Sequence, residues 1–322
     1  MRYRRRIATQ LDRRALLARL APSNAFQPAT MLWRVFELEA VLAEPPLAGR
    51  GVDIGCGDGE LGAVVFDTMR PRPTVVGIDP DPRDCALARA GATYEAVHQT
   101  TGDVLPFAEG ELDFAFSNST LEHIPAIAPV IAEVARVLRP GGTFLFTVPS
   151  EEFHACLRGH PLIGALTRRR GKPYATAIDE RLAHERYLGP EEWSALLAAH
   201  GLQLVRSTRY FPRPAVRAWE RLSSITGGLA YEIVRLLGRG RATRQIQHDF
   251  GLARRSPPAA ARAAALATWL VARRAFGAEV VAGEPSGGLL IVARRDERRG
   301  PDQSAGGSAS SMSMTGMPSR TG

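Results

Sequence analysis

The sequence contains few of the residues that mark disulfide-bonded, secreted or membrane-spanning proteins. Only three of its 322 residues are cysteine, Cys56, Cys85 and Cys156, and an odd number without paired or metal-type spacing is a poor disulfide framework. Free thiols suit a reducing cytoplasm. No apolar run approaches the roughly 20 residues that cross a bilayer, and Met1–Leu20 lacks the continuous apolar core of a secretory signal. The sequence therefore predicts a cytoplasmic protein.

Lysine is almost absent, because Lys172 is the only one and arginine supplies the rest of the 41 basic residues. With 33 acidic residues the formal net charge is +8 and the isoelectric point is about 10.1. Such a balance raises the question of a polyanionic partner. A bias toward arginine, alanine and glycine is what a GC-rich genome produces on any surface, and no basic stripe is interleaved with aromatic residues. Nucleic acid is therefore not expected as a partner.

Strand and helix patterns alternate along most of the chain, which favours parallel pairing and an α/β doubly wound sheet. Uniformly apolar stretches such as 143–148 are typical of strands covered on both faces. The predicted strands are 50–54, 74–78, 93–97, 112–117, 143–148, 202–210 and 288–293. The predicted helices are 31–43, 60–69, 82–90, 129–138 and 190–200.

Two stretches interrupt this alternation and are interpreted as insertions. Residues 150–186 show little periodicity, whereas 212–285 carry largely helical patterns and predict a helical cap. The basic arm 1–30 is expected to be a solvated arm or a packed surface helix, with a membrane-surface helix as the alternative. The tail 296–322 has no core-forming pattern, so disorder is predicted there. The catalytic domain is predicted to span 31–295, with its core at 50–150.

The sharpest motif is Val52-Asp53-Ile54-Gly55-Cys56-Gly57-Asp58-Gly59, in which an apolar strand runs into three glycines and then a helix. Glycine lets the backbone turn tightly and admits a ligand against the main chain, and a helix N-terminus offers free N–H groups. The dinucleotide fingerprint would require glycine at position 60, which is Glu60. The motif resembles motif I, D-x-G-x-G-x-G, of class I methyltransferases that use S-adenosylmethionine (SAM).

The resemblance extends to two acidic positions. Asp79, followed by Pro80, ends the second predicted strand and could accept two hydrogen bonds from a ribose diol; the alternative is a simple turn opener. Asp103 and Val104 match the family's residues at the adenine amino group and ring, with a surface turn as the alternative.

The fourth element follows the next strand as Ser117-Asn118-Ser119-Thr120-Leu121-Glu122-His123. It resembles the "LEH" element of the small-molecule branch (methyltransferase type 11-like), as Arg139-Pro140-Gly141-Gly142 resembles that branch's lead-in to the fifth strand. The resemblance covers about a third of the chain.

His123 is the candidate general base, because histidine titrates near neutrality; the alternative is that it only shapes the pocket. His154, His160 and His184 lie in the first insertion, and their spacing defines no metal set. Trp33, Arg34 and Glu37 could line the entrance, although core packing explains Trp33 equally well.

The resemblance implies a Rossmann-like seven-stranded sheet with helical insertions forming a cap, and SAM as the cofactor. The cofactor-binding residues it implies are Asp53, Gly55, Cys56, Gly57, Gly59, Asp79, Pro80, Asp103, Val104 and Asn118. No N-P-P-Y or D-P-P-Y tetrapeptide of amino-methylating enzymes follows the fourth strand.

The expected activity is methyl transfer to a small-molecule acceptor, with lipid-linked or glycosylated compounds included, and oxygen as the favoured atom. A SAM-binding regulatory protein without turnover is one alternative. A protein that contacts membrane through the arm or the cap is the other. No metal is expected.

Overall fold

The structure is a computed structural model that describes residues 12–25, 27–169, 171–228, 233 and 256–297. A seven-stranded sheet with the order β3-β2-β1-β4-β5-β7-β6 forms its centre. The strands are β1 Arg50–Ile54, β2 Thr74–Asp79, β3 Ala96–Gln99, β4 Leu112–Asn118, β5 Leu138–Pro149, β6 Leu202–Pro212 and β7 Ser286–Arg295.

Helices cover both faces of this sheet. They are α1 Arg13–Asn24, α2 Pro28–Leu42, α3 Glu60–Phe66, α4 Pro82–Ala90, α5 Ile127–Val137, α6 Phe153–Cys156, α7 Pro161–Arg169, α8 Tyr174–Leu182, α9 Pro190–Ala199, α10 Arg213–Ser223 and α11 Pro258–Phe276. A short 3₁₀ turn, Leu121–His123, follows β4.

The sheet is mixed, because its last strand reverses direction. Strands β1 to β5 pair in parallel with one another, whereas β7 is antiparallel to both β5 and β6. The predicted α/β fold, a Rossmann-like doubly wound sheet of seven strands with a helical cap, is confirmed. Its parallel strands end at one edge, where doubly wound proteins bind their ligands.

Two apolar layers enclose the sheet. Successive residues of a strand face opposite sides, so Phe114 and Phe116 of β4 join one buried cluster while Ala115 joins the other. Helices α2, α3, α10 and α11 contribute to the first cluster, and α5 and α9 to the second. Coverage on both faces explains why the strands are apolar on both sides.

The first insertion has more regular structure than its sequence indicates. Residues 150–186 showed little periodicity, but the structure places α6, α7 and α8 there. Each has nine residues or fewer, too few turns for a repeated apolar stripe to stand out in the sequence. The short helices therefore explain the weak periodicity of this stretch, and its interpretation as an insertion stays a prediction.

The second insertion and the arm pack together at one end of the molecule. Arg13 of α1 donates to the carbonyls of Phe276 at 2.6 Å and Ala278 at 2.9 Å. Leu16, Leu17 and Leu20 of α1 are buried, so the apolar side of this helix packs on protein. Residues 1–11, 234–255 and 298–322 lie outside the described residues, and with them the predicted tail disorder. In the described ranges, no helix has the length and apolar character to cross a membrane.

Candidate active site

The glycine-rich turn between β1 and α3 lies at the carboxyl edge of the sheet. The N–H groups of Gly55 and Cys56 both donate to the Ile78 carbonyl, at 2.9 Å each. Gly55, Gly57 and Gly59 adopt φ values of 74°, 53° and 85°, which side chains rarely allow. A Cβ on Gly55 would lie 2.3 Å from Thr120, whereas one on Gly57 would meet nothing within 4 Å. The backbone at Gly57 is therefore open to a ligand.

A cavity of about 1010 Å³ opens beside this turn, at the upper end of the size range of small-molecule sites. Residues from α2, the glycine turn, α4 and the segment after β4 form its wall. The predicted cofactor residues that line it are Asp53, Gly55, Cys56, Gly57, Gly59 and Asn118.

Asp79 and Pro80 lie at the end of β2 and do not line that cavity. The Asp79 carboxylate accepts from the Gly57 N–H at 3.0 Å and from the Asp81 N–H at 2.9 Å. One bond goes to each carboxylate oxygen, which leaves lone pairs free for a diol. Partial burial raises the pKa of Asp79. The bond to Gly57 places this carboxylate at the rim of the glycine turn.

Asp103 and Val104 lie in the turn after β3, away from the cavity wall. Both are exposed, and 63% of the Val104 side chain is accessible. The Val104 carbonyl accepts from the Thr100 hydroxyl at 3.0 Å. This exposed turn fits both the adenine contact that the resemblance implies and the alternative of a surface turn, so the adenine role of Asp103 and Val104 stays a prediction.

Asp53 is buried beneath the glycine turn and is joined to Tyr94. The Tyr94 hydroxyl donates to Asp53 Oδ2 at 2.6 Å. Burial raises the pKa of Asp53 to about 7, although the Tyr94 bond lowers it. Absent side chains at Gly59, Gly62 and Gly77 make room for the Tyr94 ring. No motif in the sequence points to Tyr94, because the space for its ring is created by the glycine turn, α3 and β2 together.

His123 lies in the 3₁₀ turn after β4 and is 41% exposed. Its Nδ1 donates to the Ala183 carbonyl at 3.0 Å, the only role this nitrogen can take toward a carbonyl. Burial on its inner side lowers the pKa of His123. Nε2 is consequently the nitrogen that could accept a proton, and the role of general base stays a prediction.

The structure brings one of the three insertion histidines, His184, next to His123, with ring centroids 5.2 Å apart. His154 lies beside Tyr187, with ring centroids 4.5 Å apart, and Tyr187 in turn contacts His184. Burial lowers the pKa of His184 to about 3. His160 lies apart from this group, where its Nδ1 accepts from the Ile163 N–H at 3.4 Å.

Glu37 is the most heavily bonded side chain of the site. Fully buried in α2, it accepts hydrogen bonds from Asn118 at 3.0 Å, Thr147 at 2.8 Å and Tyr210 at 3.1 Å. Arg34 and Ser119 add further bonds. Burial alone would raise the pKa of Glu37, but Arg34 and these donors lower it.

The predicted entrance residues divide between two roles. Arg34 lines the cavity, whereas Trp33 packs among Phe153, Phe211 and Trp219 in the core. Glu37 lies behind the wall and holds α2 to the ends of β4, β5 and β6. No spacing in the sequence could reveal that role, since its partners other than Arg34 are 81 to 173 residues away.

The bare backbone at Gly57 and the acid next to it fit a nucleoside-type ligand at the carboxyl edge, and the fold and this turn define a class I methyltransferase site. A family model described as "Methyltransferase domain" matches residues 52–146. An uncharacterized methyltransferase of Mycobacterium sp. (strain JLS) is 32% identical over 196 residues, covering 56% of this chain and 73% of that protein. The chain belongs to the class I SAM-dependent methyltransferases. It is an enzyme that uses SAM as its cofactor.

Two further relatives have named substrates or pathways. Trans-aconitate 2-methyltransferase of Deinococcus radiodurans is 34% identical over 123 residues, which cover 38% of this chain and only 46% of that protein. A ubiquinone biosynthesis O-methyltransferase of Rhizobium etli is 28% identical over 180 residues, covering 54% of this chain and 68% of that protein. The chain thus spans less than half of the first of these relatives.

Proposed function

We propose that this methyltransferase acts on an oxygen atom of a small-molecule acceptor. The observation that carries the proposal is the cavity beside Gly57. It extends beyond the glycine turn, past Asn118 to Thr120, and so has space for an acceptor next to the proposed SAM site. The names of two relatives, a trans-aconitate 2-methyltransferase and a ubiquinone biosynthesis O-methyltransferase, support a small acceptor, and the second supports oxygen.

The proposed SAM site combines the glycine turn with the ends of β2 and β4. Bound SAM supplies a methyl group on a positively charged sulfur, and transfer to an acceptor hydroxyl forms an O–C bond, breaks the C–S bond and releases one proton. Gly57 would admit the methionine part, Asp79 the ribose, and Asp103 with Val104 the adenine. The proposed set also includes Asp53, Gly55, Cys56, Gly59, Pro80 and Asn118.

The chain's contribution to rate on this proposal is alignment and exclusion of water. The 3₁₀ turn after β4 is held against the first insertion, since Arg186 donates to the carbonyls of Leu121 at 2.6 Å and Pro125 at 2.7 Å. This contact fixes the 3₁₀ turn, which begins next to Thr120 of the cavity wall, against the residues that follow α8. An acceptor hydroxyl can then meet the methyl group in a fixed direction without competition from solvent.

Titration calorimetry of the full chain with SAM tests the site, with Asp79→Asn as the variant and Glu95→Gln as the control. Loss of the charge and of one acceptor should weaken SAM binding at least about tenfold. Glu95 is exposed and pairs with Arg50 away from the turn, so its variant should bind normally. Equal affinity of Asp79→Asn and the unchanged protein would contradict the ribose role.

A panel of acceptors with hydroxyl, carboxylate or amine groups tests the reaction itself by mass spectrometry. Addition of one methyl group to hydroxyl or carboxylate oxygen is expected. Product from amines alone would contradict oxygen as the target. SAM binding without any product across the panel would contradict an acceptor of these three chemical classes.

Membrane contact through the cap is the second candidate. Helix α11 exposes Leu266, Leu270 and Val271, and its last turn carries Arg273 and Arg274. Sedimentation of the protein with anionic vesicles that weakens as salt is added would support such contact. If the protein sediments no more with neutral or anionic vesicles than without vesicles, membrane contact is ruled out.

A further inference from the structure

Three potential metal ligands meet where the turn after β4 contacts the first insertion. Glu122 and His123 belong to the 3₁₀ turn, and His184 follows α8. The Glu185 N–H donates to the Glu122 carbonyl at 2.8 Å. This backbone bond joins two segments that are more than 60 residues apart in the sequence, which explains why histidine spacing alone indicated no metal set.

The ligand atoms of these three side chains lie close together. A carboxylate oxygen of Glu122 and one ring nitrogen each of His123 and His184 are all within 4.8 Å of one another. Zinc ligands lie 2.0–2.2 Å from the ion, so each side chain would move inward by less than about 1 Å. Two histidines and a carboxylate form a donor set that binds divalent transition metals.

Glu122 has a buried oxygen that the protein leaves unsatisfied. The residue is only 2% exposed, and its Oε2 has no hydrogen-bond partner among the described residues. Buried carboxylate oxygens without partners are uncommon and costly. The other oxygen, Oε1, lies 3.9 Å from His123 Nε2, so a cation held between the carboxylate and the histidines would supply the missing partner of Oε2 if both oxygens bind it.

The hydrogen bonds around both histidines leave the same nitrogen free. His123 Nδ1 donates to the Ala183 carbonyl at 3.0 Å. The Tyr187 hydroxyl donates to Asp179 Oδ1 at 2.6 Å, so its oxygen accepts from His184 Nδ1 at 2.9 Å. With Nδ1 protonated in each ring, the lone pair lies on Nε2. Metal-binding histidines are oriented in this way, by a carbonyl or carboxylate on the opposite nitrogen.

We propose that Glu122, His123 and His184 bind one divalent transition-metal ion of the Zn²⁺ or Co²⁺ type. Arg34 and Arg186 are the cations that act on Glu122. Arg34 is paired with Glu37, and Arg186 donates to the carbonyls of Leu121 and Pro125. Three protein ligands leave at least one position open, as in catalytic zinc sites. Glu122 lies two residues after Thr120, which lines the cavity. If the open position holds an acceptor oxygen, that role rests on the proposed function. The binding of the metal ion does not depend on the proposed function.

Cobalt titration of the full chain tests the site without SAM or acceptor. The protein is prepared without a polyhistidine tag, stripped with a chelator and titrated with Co²⁺ while visible absorption is recorded. Binding of one equivalent with ligand-field bands is expected. Glu122→Gln and His184→Gln should each weaken binding at least about tenfold, whereas His98→Gln, a surface histidine at the end of β3, should leave it unchanged.

A fourth variant examines the supporting hydrogen bonds. Tyr187→Phe removes the acceptor of His184 Nδ1 and should weaken Co²⁺ binding about 10- to 100-fold. Circular dichroism establishes that each variant is folded. The absence of saturable binding to the unchanged protein would overturn the proposal, and so would one-equivalent binding that persists in folded Glu122→Gln and His184→Gln. Neither result depends on SAM affinity, which the calorimetry above measures separately.

Discussion

Asp53 shows how one buried acid can link SAM binding to pH. Its carboxylate lies under the glycine turn, and burial raises its pKa to about 7. Near neutrality it is therefore partly protonated, unlike an exposed aspartate. SAM carries positive charge on its sulfur and its amino group, so a ligand near Asp53 would favour the charged carboxylate.

This arrangement predicts that SAM affinity rises between pH 6 and pH 8, by up to roughly tenfold. Calorimetry across that range measures the effect. Asp53→Asn should show weak binding with little dependence on pH. A flat profile for the unchanged protein, or the same slope in Asp53→Asn, would show that Asp53 is not the group responsible.

The effect of Asp53 on stability without SAM has the opposite sign. Its native pKa is raised above the ordinary value of 3.8, so the native state holds the proton more tightly than the unfolded chain does. The stabilising contribution is complete below about pH 3.8 and is lost as the pH rises through about 7. As the pH rises through about 7, Asp53 therefore stabilises the fold less and is expected to bind SAM more strongly.

At the scale of elements, α3 packs closely against Tyr94 because the helix has a glycine, Gly62, at the point of contact. A Cβ on Gly62 would lie 2.0 Å from the Tyr94 hydroxyl and 3.2 Å from Asp53 Oδ2. Alanine is ordinarily about 1 kcal/mol better than glycine inside a helix. Here the clash outweighs that gain, because the tyrosine ring is confined by Gly59 and Gly77 as well.

Gly62→Ala should therefore lower the free energy of unfolding by about 1–3 kcal/mol. Gly164→Ala in α7 is the matched control, since a Cβ there would meet only the end of Arg168 at 3.5 Å; it should be neutral or stabilising. Urea unfolding of both variants gives the comparison. Equal stability of the two would mean that the space around Tyr94 is not as restricted as the structure indicates.

The elements differ in how far the sequence predicts them. Helix 82–90 matches its predicted bounds, and β1, β2 and β4 match within one or two residues, because turn residues and apolar runs mark their ends. Helices α6 to α8 were not predicted from the sequence, since each has nine residues or fewer and a helix of that length shows no clear repeat of apolar residues. The cofactor motif was predictable from local spacing. The roles of Tyr94 and Glu37 were not, because both depend on contacts between distant segments.

At the scale of the whole molecule, Glu37 joins α2 to three strands. Its partners come from β4, β5 and β6 and from the segment after β4. Removing one partner of such a buried charged network leaves polar groups without bonds. The position of α2, which carries Arg34 to the cavity wall, therefore depends on one carboxylate.

Glu37→Gln should lower the free energy of unfolding at pH 7 by about 3 kcal/mol. The native pKa of Glu37 is below its ordinary value of 4.5, so its contribution is present above that pH and is lost as the pH falls. The difference from the unchanged protein should consequently shrink in acid. Urea unfolding at neutral and acidic pH measures it, and Glu95→Gln should differ by less than about 0.5 kcal/mol. A constant difference at both values would contradict a charged Glu37.

The position of β7 has a consequence for the order in which the protein can be made. This strand lies between β5 and β6, and among the described residues it is the strand with which β6 pairs. The edges of β5 and β6 therefore remain open during synthesis until residues 286–295 have emerged from the ribosome. Helix α1 must also await Phe276 and Ala278, to which Arg13 is bonded. The first helix and the sixth strand thus gain these partners only after residues 276–295 have been synthesised.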